Sequence, residues 1–79
     1  MKLNNYESCQ GCVCNQLRRL QPQTEVDLYL VGGQIIENVI FINISSKDCC
    51  AFFVDPSTDP DSTIIVDCQY IQAIRLETV

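Results

Sequence analysis

The segment Cys9-Gln10-Gly11-Cys12-Val13-Cys14 brings three thiols close together, and Cys49, Cys50 and Cys68 complete the six cysteines of the chain. Thiols at this spacing suit metal coordination or disulfide exchange, because their sulfurs converge without the closure of a long loop. A closed zinc site takes four ligands, usually from two spaced pairs. Here the second pair is adjacent, and alternation along a strand sends its two side chains to opposite faces. Cys9, Cys12 and Cys14 are therefore zinc candidates only in an alternative reading, a zinc-thiolate domain, and no metal or other cofactor is expected. If Cys50 faces the core, Cys49 faces outward, where it can meet a second subunit. Cys9, Cys12 and Cys14, in or beside a polar arm, are placed to do the same. These four are the expected intermolecular disulfide residues, whereas Cys50 and Cys68 are expected as small buried hydrophobes or secondary disulfide partners.

Catalytic chemistry finds little support. The chain has no histidine, which removes the commonest general base and the commonest metal ligand. Cys9 and Cys12 have the spacing of a redox pair at the start of a helix, but such motifs work within parallel βαβ units and no parallel-sheet pattern is present. Asp55, Ser57, Asp59 and Asp61 alternate as in the opening of a calcium loop, yet Pro60 stands where the turning glycine belongs and Val66 where the bidentate glutamate belongs. This stretch reads as an acidic loop stiffened by prolines. No nucleophile, base and orienting group can be assembled, so no enzyme is expected. Ten acidic residues against five basic ones give a net charge of −5, which repels phosphates and argues against a nucleic-acid partner.

The elements that must position these groups follow from periodicity. Val13, Leu17 and Leu20 recur at helical spacing, predicting a short helix over 11–21 that Pro22 ends. Val26, Leu28 and Leu30 alternate with polar partners, and Gly32-Gly33 supplies the positive φ of a tight hairpin. From Gln34 to Ile44 the apolar residues are too dense for one face, which predicts a strongly bent strand serving two sides of a barrel. A third strand is expected over 49–54, a fourth over 63–67, and a fifth from Ile71, after a brief turn near Cys68 to Tyr70. The prediction is an all-β domain: a small five-stranded SH3-like or Sm-like barrel over 11–79, preceded by a polar cysteine-bearing arm over 1–10. At 79 residues it can build one small core, and domains of this size lean on disulfides, metals or oligomerisation.

The start, Met1-Lys2-Leu3-Asn4-Asn5, turns polar at once and lacks the apolar stretch of an export signal, and no apolar run is long enough to span a membrane. Synthesis in the cytoplasm is expected, where thiols stay reduced until a later oxidation.

Val26-Asp27-Leu28-Tyr29-Leu30-Val31-Gly32-Gly33-Gln34-Ile35 resembles the first hairpin of Sm-like proteins, and Tyr70-Ile71-Gln72-Ala73-Ile74-Arg75-Leu76 resembles their closing strand. That resemblance implies an oligomeric binding module for a protein or RNA partner as an alternative function. After Phe41, however, the chain reads Ile42-Asn43-Ile44-Ser45-Ser46, without the RNA-contacting pattern of that family. A second resemblance is carried by Gly11-Cys12-Val13-Cys14, Asp48-Cys49-Cys50-Ala51 and Thr63-Ile64-Ile65-Val66-Asp67-Cys68 leading to Ala73-Ile74. Together these are similar to the CotY/CotZ/ExsY family of cysteine-rich spore coat and exosporium proteins. It implies a structural protein made in the mother-cell cytoplasm, deposited in the spore coat or exosporium, with itself and other coat proteins as partners, and locked by disulfides after assembly.

Overall fold

A computed structural model describes residues 9–77. Helix α1, Cys12–Arg19, is shorter at both ends than the sequence predicts. Gly11, at φ 142°, caps its start, and the backbone leaves the helical region at Leu20, two residues before Pro22. Val13, Cys14 and Leu17 form its buried face, while Arg18 and Arg19 occupy the last turn, where positive charge is favourable beside the negative end of the helix dipole.

Five strands follow: β1 Thr24–Leu30, β2 Ile35–Ser45, β3 Cys50–Asp55, β4 Ser62–Asp67 and β5 Ile71–Leu76. They form one antiparallel sheet in the order β4-β3-β2-β1-β5. The all-β class with one short N-terminal helix is as predicted. The described hydrogen bonds define an open order, with β4 and β5 as its two ends. The hairpin between β1 and β2 turns on Gly32 and Gly33, both at positive φ, and is closed by the Leu30 amide donating to the Gln34 carbonyl at 2.8 Å. Only glycine takes such φ values without strain.

The bend of β2 has identifiable causes. One extra residue interrupts its pairing with β1 between Ile36 and Val39, where Asn38 sits at φ 60°. Another interrupts its pairing with β3 between Phe41 and Asn43. Each bulge bends the strand and increases its local twist. The Asn38 amide freed by the first bulge donates to the Asp27 carboxylate at 2.8 Å, so the irregularity leaves no orphan donor there.

Val26, Leu28, Val39, Phe41, Ala51, Phe53 and Ile71 fill the sheet side of the core, and Leu17 from α1 covers it. Phe41 and Phe53 are cross-strand partners in an edge-to-face arrangement, with ring centroids 5.8 Å apart. That pair sets the phase of β3: Ala51 and Phe53 point inward, leaving Cys50, Phe52 and Val54 on the half-buried face. Cys49, in the left-handed region at φ 63° just before the strand, is buried with the inward set. This reverses the orientation expected for Cys49 and Cys50. Phe52 and Phe53 are both aromatic, so alternation cannot phase this strand by itself.

Candidate functional site: cysteine framework and free sheet edges

Two disulfides tie the N-terminal cysteines to the sheet. Cys9 is bonded to Cys49, with Cα atoms 5.3 Å apart, and Cys14 to Cys68, with Cα atoms 5.2 Å apart. All four cysteines are buried. The first bond brings the segment before α1 to the turn before β3, and the second fixes the buried face of α1 to the 3-10 turn Cys68–Tyr70 between β4 and β5. The two anchor points are themselves neighbours, because the Cys68 amide donates to the Cys49 carbonyl at 2.8 Å. Arg18 adds a polar tie from α1, donating to the carbonyl of Cys9 and, at 2.7 Å, to the Asn15 side chain.

This arrangement corrects the expected roles of the cysteines. Cys9, Cys14 and Cys49, expected to bridge subunits, close loops within the chain, because the fold brings each beside a partner at disulfide distance. Cys9 is not part of a polar arm, and residues 1–8 of the expected arm lie outside the described residues. Cys12 and Cys50 are the free cysteines, one exposed and the other half-buried. Of the zinc candidates, Cys9 and Cys14 are held in separate disulfides. Among the described residues no group of three or more potential ligands is placed to hold a metal ion.

Cys12 stands at the junction of two clefts beside β5. One, of about 180 Å³, is lined by polar groups including Gln10, Gln69 and Gln72. The other, of about 320 Å³, lies between α1 and β5, with Val13, Leu20, Ile74 and Leu76 as its apolar walls. The clefts share Cys12, Val13 and Gln72. Nothing in the sequence pattern announced them, because they arise where the helix overhangs a strand distant in sequence.

The free edges of β4 and β5 are the other exposed feature. Among the described residues no strand pairs with the outer edge of either. On β4, Ile64 and Val66 are half-buried and Ile65 is 59% exposed; at the end of β5, Leu76 is 48% exposed. No lysine or proline interrupts either strand, the usual means of blunting an edge.

A carboxyl pair marks the far end of the β1–β5 seam. Asp27, only 6% exposed, is held below the ordinary aspartate value by its hydrogen bond with Glu77, then by the Asn38 amide and the positive charge of Arg75, against the opposing effect of burial. Glu77 is raised by the same hydrogen bond, then by burial and by repulsion from Asp27 and Glu25, with Arg75 opposing. The two shifts run in opposite directions because the hydrogen bond links the two titrations, favouring the ionised form of Asp27 and the protonated form of Glu77. In the loop between β3 and β4, the Ser57 hydroxyl and amide donate to Asp55 and lower its value. Thr58 donates to the Asp55 and Pro60 carbonyls, which keeps that acidic loop self-contained.

Fold and site together define a small, cysteine-rich, disulfide-stapled β-sheet domain. No family model, no curated protein and no solved structure matches the chain. Among the described residues no helix is long and apolar enough to cross a membrane.

Proposed function

We propose that this chain is a structural subunit that assembles with copies of itself through the free edges of β4 and β5, and that its remaining thiols then cross-link the assembly. The observation that carries the reading is the pair of unpartnered edge strands, each six residues long, at opposite ends of one sheet. An unpaired edge is a row of backbone donors and acceptors, and a second edge of equal length can satisfy it over a seam of about 20 Å. A contact between two different edges is heterologous, so it propagates into a ring if the rotation closes and into a fibre if it does not. Deposition in a spore coat or exosporium, with other coat proteins as further partners, is the finer part of the proposal. It rests on the resemblance of the cysteine-bearing segments to that family.

The test must leave the internal disulfides intact, so it uses the Cys12→Ser, Cys50→Ser double variant without reductant. Sedimentation and electron microscopy of this variant should show concentration-dependent particles larger than a monomer. Adding Ile65→Lys and Leu76→Lys, which place charge along both edges, should return it to monomer. A double variant that stays monomeric at every concentration would end this reading. The cleft between α1 and β5 favours a second reading, a module that binds an apolar protein segment, and a stable monomer would turn attention there.

A further inference from the structure

Neither free thiol lies on an edge strand, Cys12 being in α1 and Cys50 in β3, but each stands beside one end of an edge strand. Cys12 opens α1 and lines both clefts together with Gln72, the second residue of β5, and Cys14, two residues further on, is bonded to Cys68 in the turn that leads into β5. Cys12 therefore marks the start of β5. Cys50 opens β3 and is the cross-strand partner of Asp67, the last residue of β4, so it marks the end of β4. Every pairing in the sheet is antiparallel, and antiparallel ladders are the slightly more stable kind.

Three antiparallel edge pairings are available between two copies, and they place the thiols differently. Pairing β5 with a second β5 sets the start of each against the end of the other and holds the two Cys12 thiols about a strand length, roughly 20 Å, apart. Pairing β4 with a second β4 separates the two Cys50 thiols in the same way. Only β5 of one copy against β4 of the next brings two free thiols to one end of the seam, and they are Cys12 and Cys50. From this geometry, and resting on the self-assembly reading above, we infer that the covalent link between subunits joins Cys12 of one copy to Cys50 of the next.

The chemistry needs an oxidant, and a small-molecule disulfide such as oxidised glutathione supplies it. The Cys12 thiolate attacks one glutathione sulfur, the glutathione S–S bond breaks, and one glutathione thiolate leaves. The Cys50 thiolate of the next copy then attacks the Cys12 sulfur of the mixed disulfide and expels the second glutathione thiolate. Two protein thiols are oxidised, one glutathione disulfide is reduced, and the two protons the cysteines give up to solvent are taken up by the two departing glutathione thiolates, which end as thiols. Each subunit carries one thiol of each kind, so links extend in both directions.

The decisive experiment mixes two single variants, Cys12→Ser and Cys50→Ser, in oxidised glutathione and runs them on non-reducing gels. Wild type should give a ladder of dimers, trimers and longer species. Each variant alone should stay monomeric, and the mixture should form a covalent dimer that grows no further. Peptide mapping of that dimer should find Cys12 joined to Cys50. Covalent dimers of either variant alone, or no link in the mixture while the double serine variant still assembles, would overturn the pairing and leave the assembly reading standing. A double variant that never assembles defeats the assembly reading, and the pairing with it.

Discussion

Cys14 in α1 and Cys68 in the turn before β5 are 54 residues apart in sequence, yet their Cα atoms lie 5.2 Å apart across a disulfide. This bond and its companion, Cys9–Cys49, close overlapping loops, the second over a separation of 40 residues. Chain-entropy arguments give each about 4 kcal/mol. A core of this size rarely supplies more than about 3–5 kcal/mol alone. Cys14→Ser with Cys68→Ser should therefore lower the urea midpoint sharply, and removing both disulfides should leave a largely unfolded chain. The combined cost should be less than the sum, because the loops overlap. Urea unfolding followed by far-ultraviolet circular dichroism measures this, and a reduced chain as stable as the oxidised one would contradict it.

Phe53 should be the most sensitive side chain of the sheet. It is fully buried and packs edge-to-face on Phe41. Phe53→Ala should cost about 3–5 kcal/mol through lost transfer energy and the cavity left behind. Phe52→Ala, on the half-buried face of the same strand, should cost clearly less. Comparing urea midpoints of the two variants checks the inward phase of β3, and the reverse order would refute it.

The cysteines should divide into two classes by reactivity. Iodoacetamide without reductant should add to two positions, Cys12 first and Cys50 more slowly, because only these thiols are free and Cys12 is the more exposed. The other four should react only after reduction. Mass spectrometry over time reads both the number and the order of adducts, and alkylation of native Cys9 or Cys68 would show that the disulfides are not as described.

The carboxyl pair predicts a stability profile with a defined sign. Glu77 has a folded value above its ordinary 4.5, so its contribution is complete at low pH and is lost as pH rises through the raised value. Asp27 has a folded value below its ordinary 3.8, so its contribution is present above that pH and is lost as pH falls through the lowered value. The pair therefore helps most in the acidic window between the two, and its support declines on passing toward neutrality. Glu77→Gln keeps a hydrogen-bond donor toward Asp27 without a titrating proton. It should flatten the upper limb, so that urea midpoints of wild type fall relative to the variant between acid and neutral pH. Parallel profiles would show that the contact does not matter to stability.

Much of the fold was legible in the chain. Alternation in Val26-Asp27-Leu28-Tyr29-Leu30 marked β1, Gly32-Gly33 marked the hairpin, and Pro22 bounded the helical segment, because each is a local constraint on backbone or side-chain direction. The crowding of apolar residues between Ile35 and Ile44 signalled a bent strand, although only the pairing registers locate its two bulges. The helix ends were misjudged by one or two residues at Gly11 and Leu20, where caps rather than hydrophobic spacing decide.

The sequence by itself determined that this is an all-β chain with a short helix, six cysteines and no histidine, because composition and periodicity act through local chemistry. Which cysteines meet was decided only in the tertiary structure. Disulfide formation depends on Cα proximity, and antiparallel pairing creates that proximity between positions far apart in sequence. The orientation of Cys49 and Cys50 had the same origin: the packing of Phe53 against Phe41 fixed which face of β3 is the core face, and thereby left Cys50, with Cys12, as the free thiols.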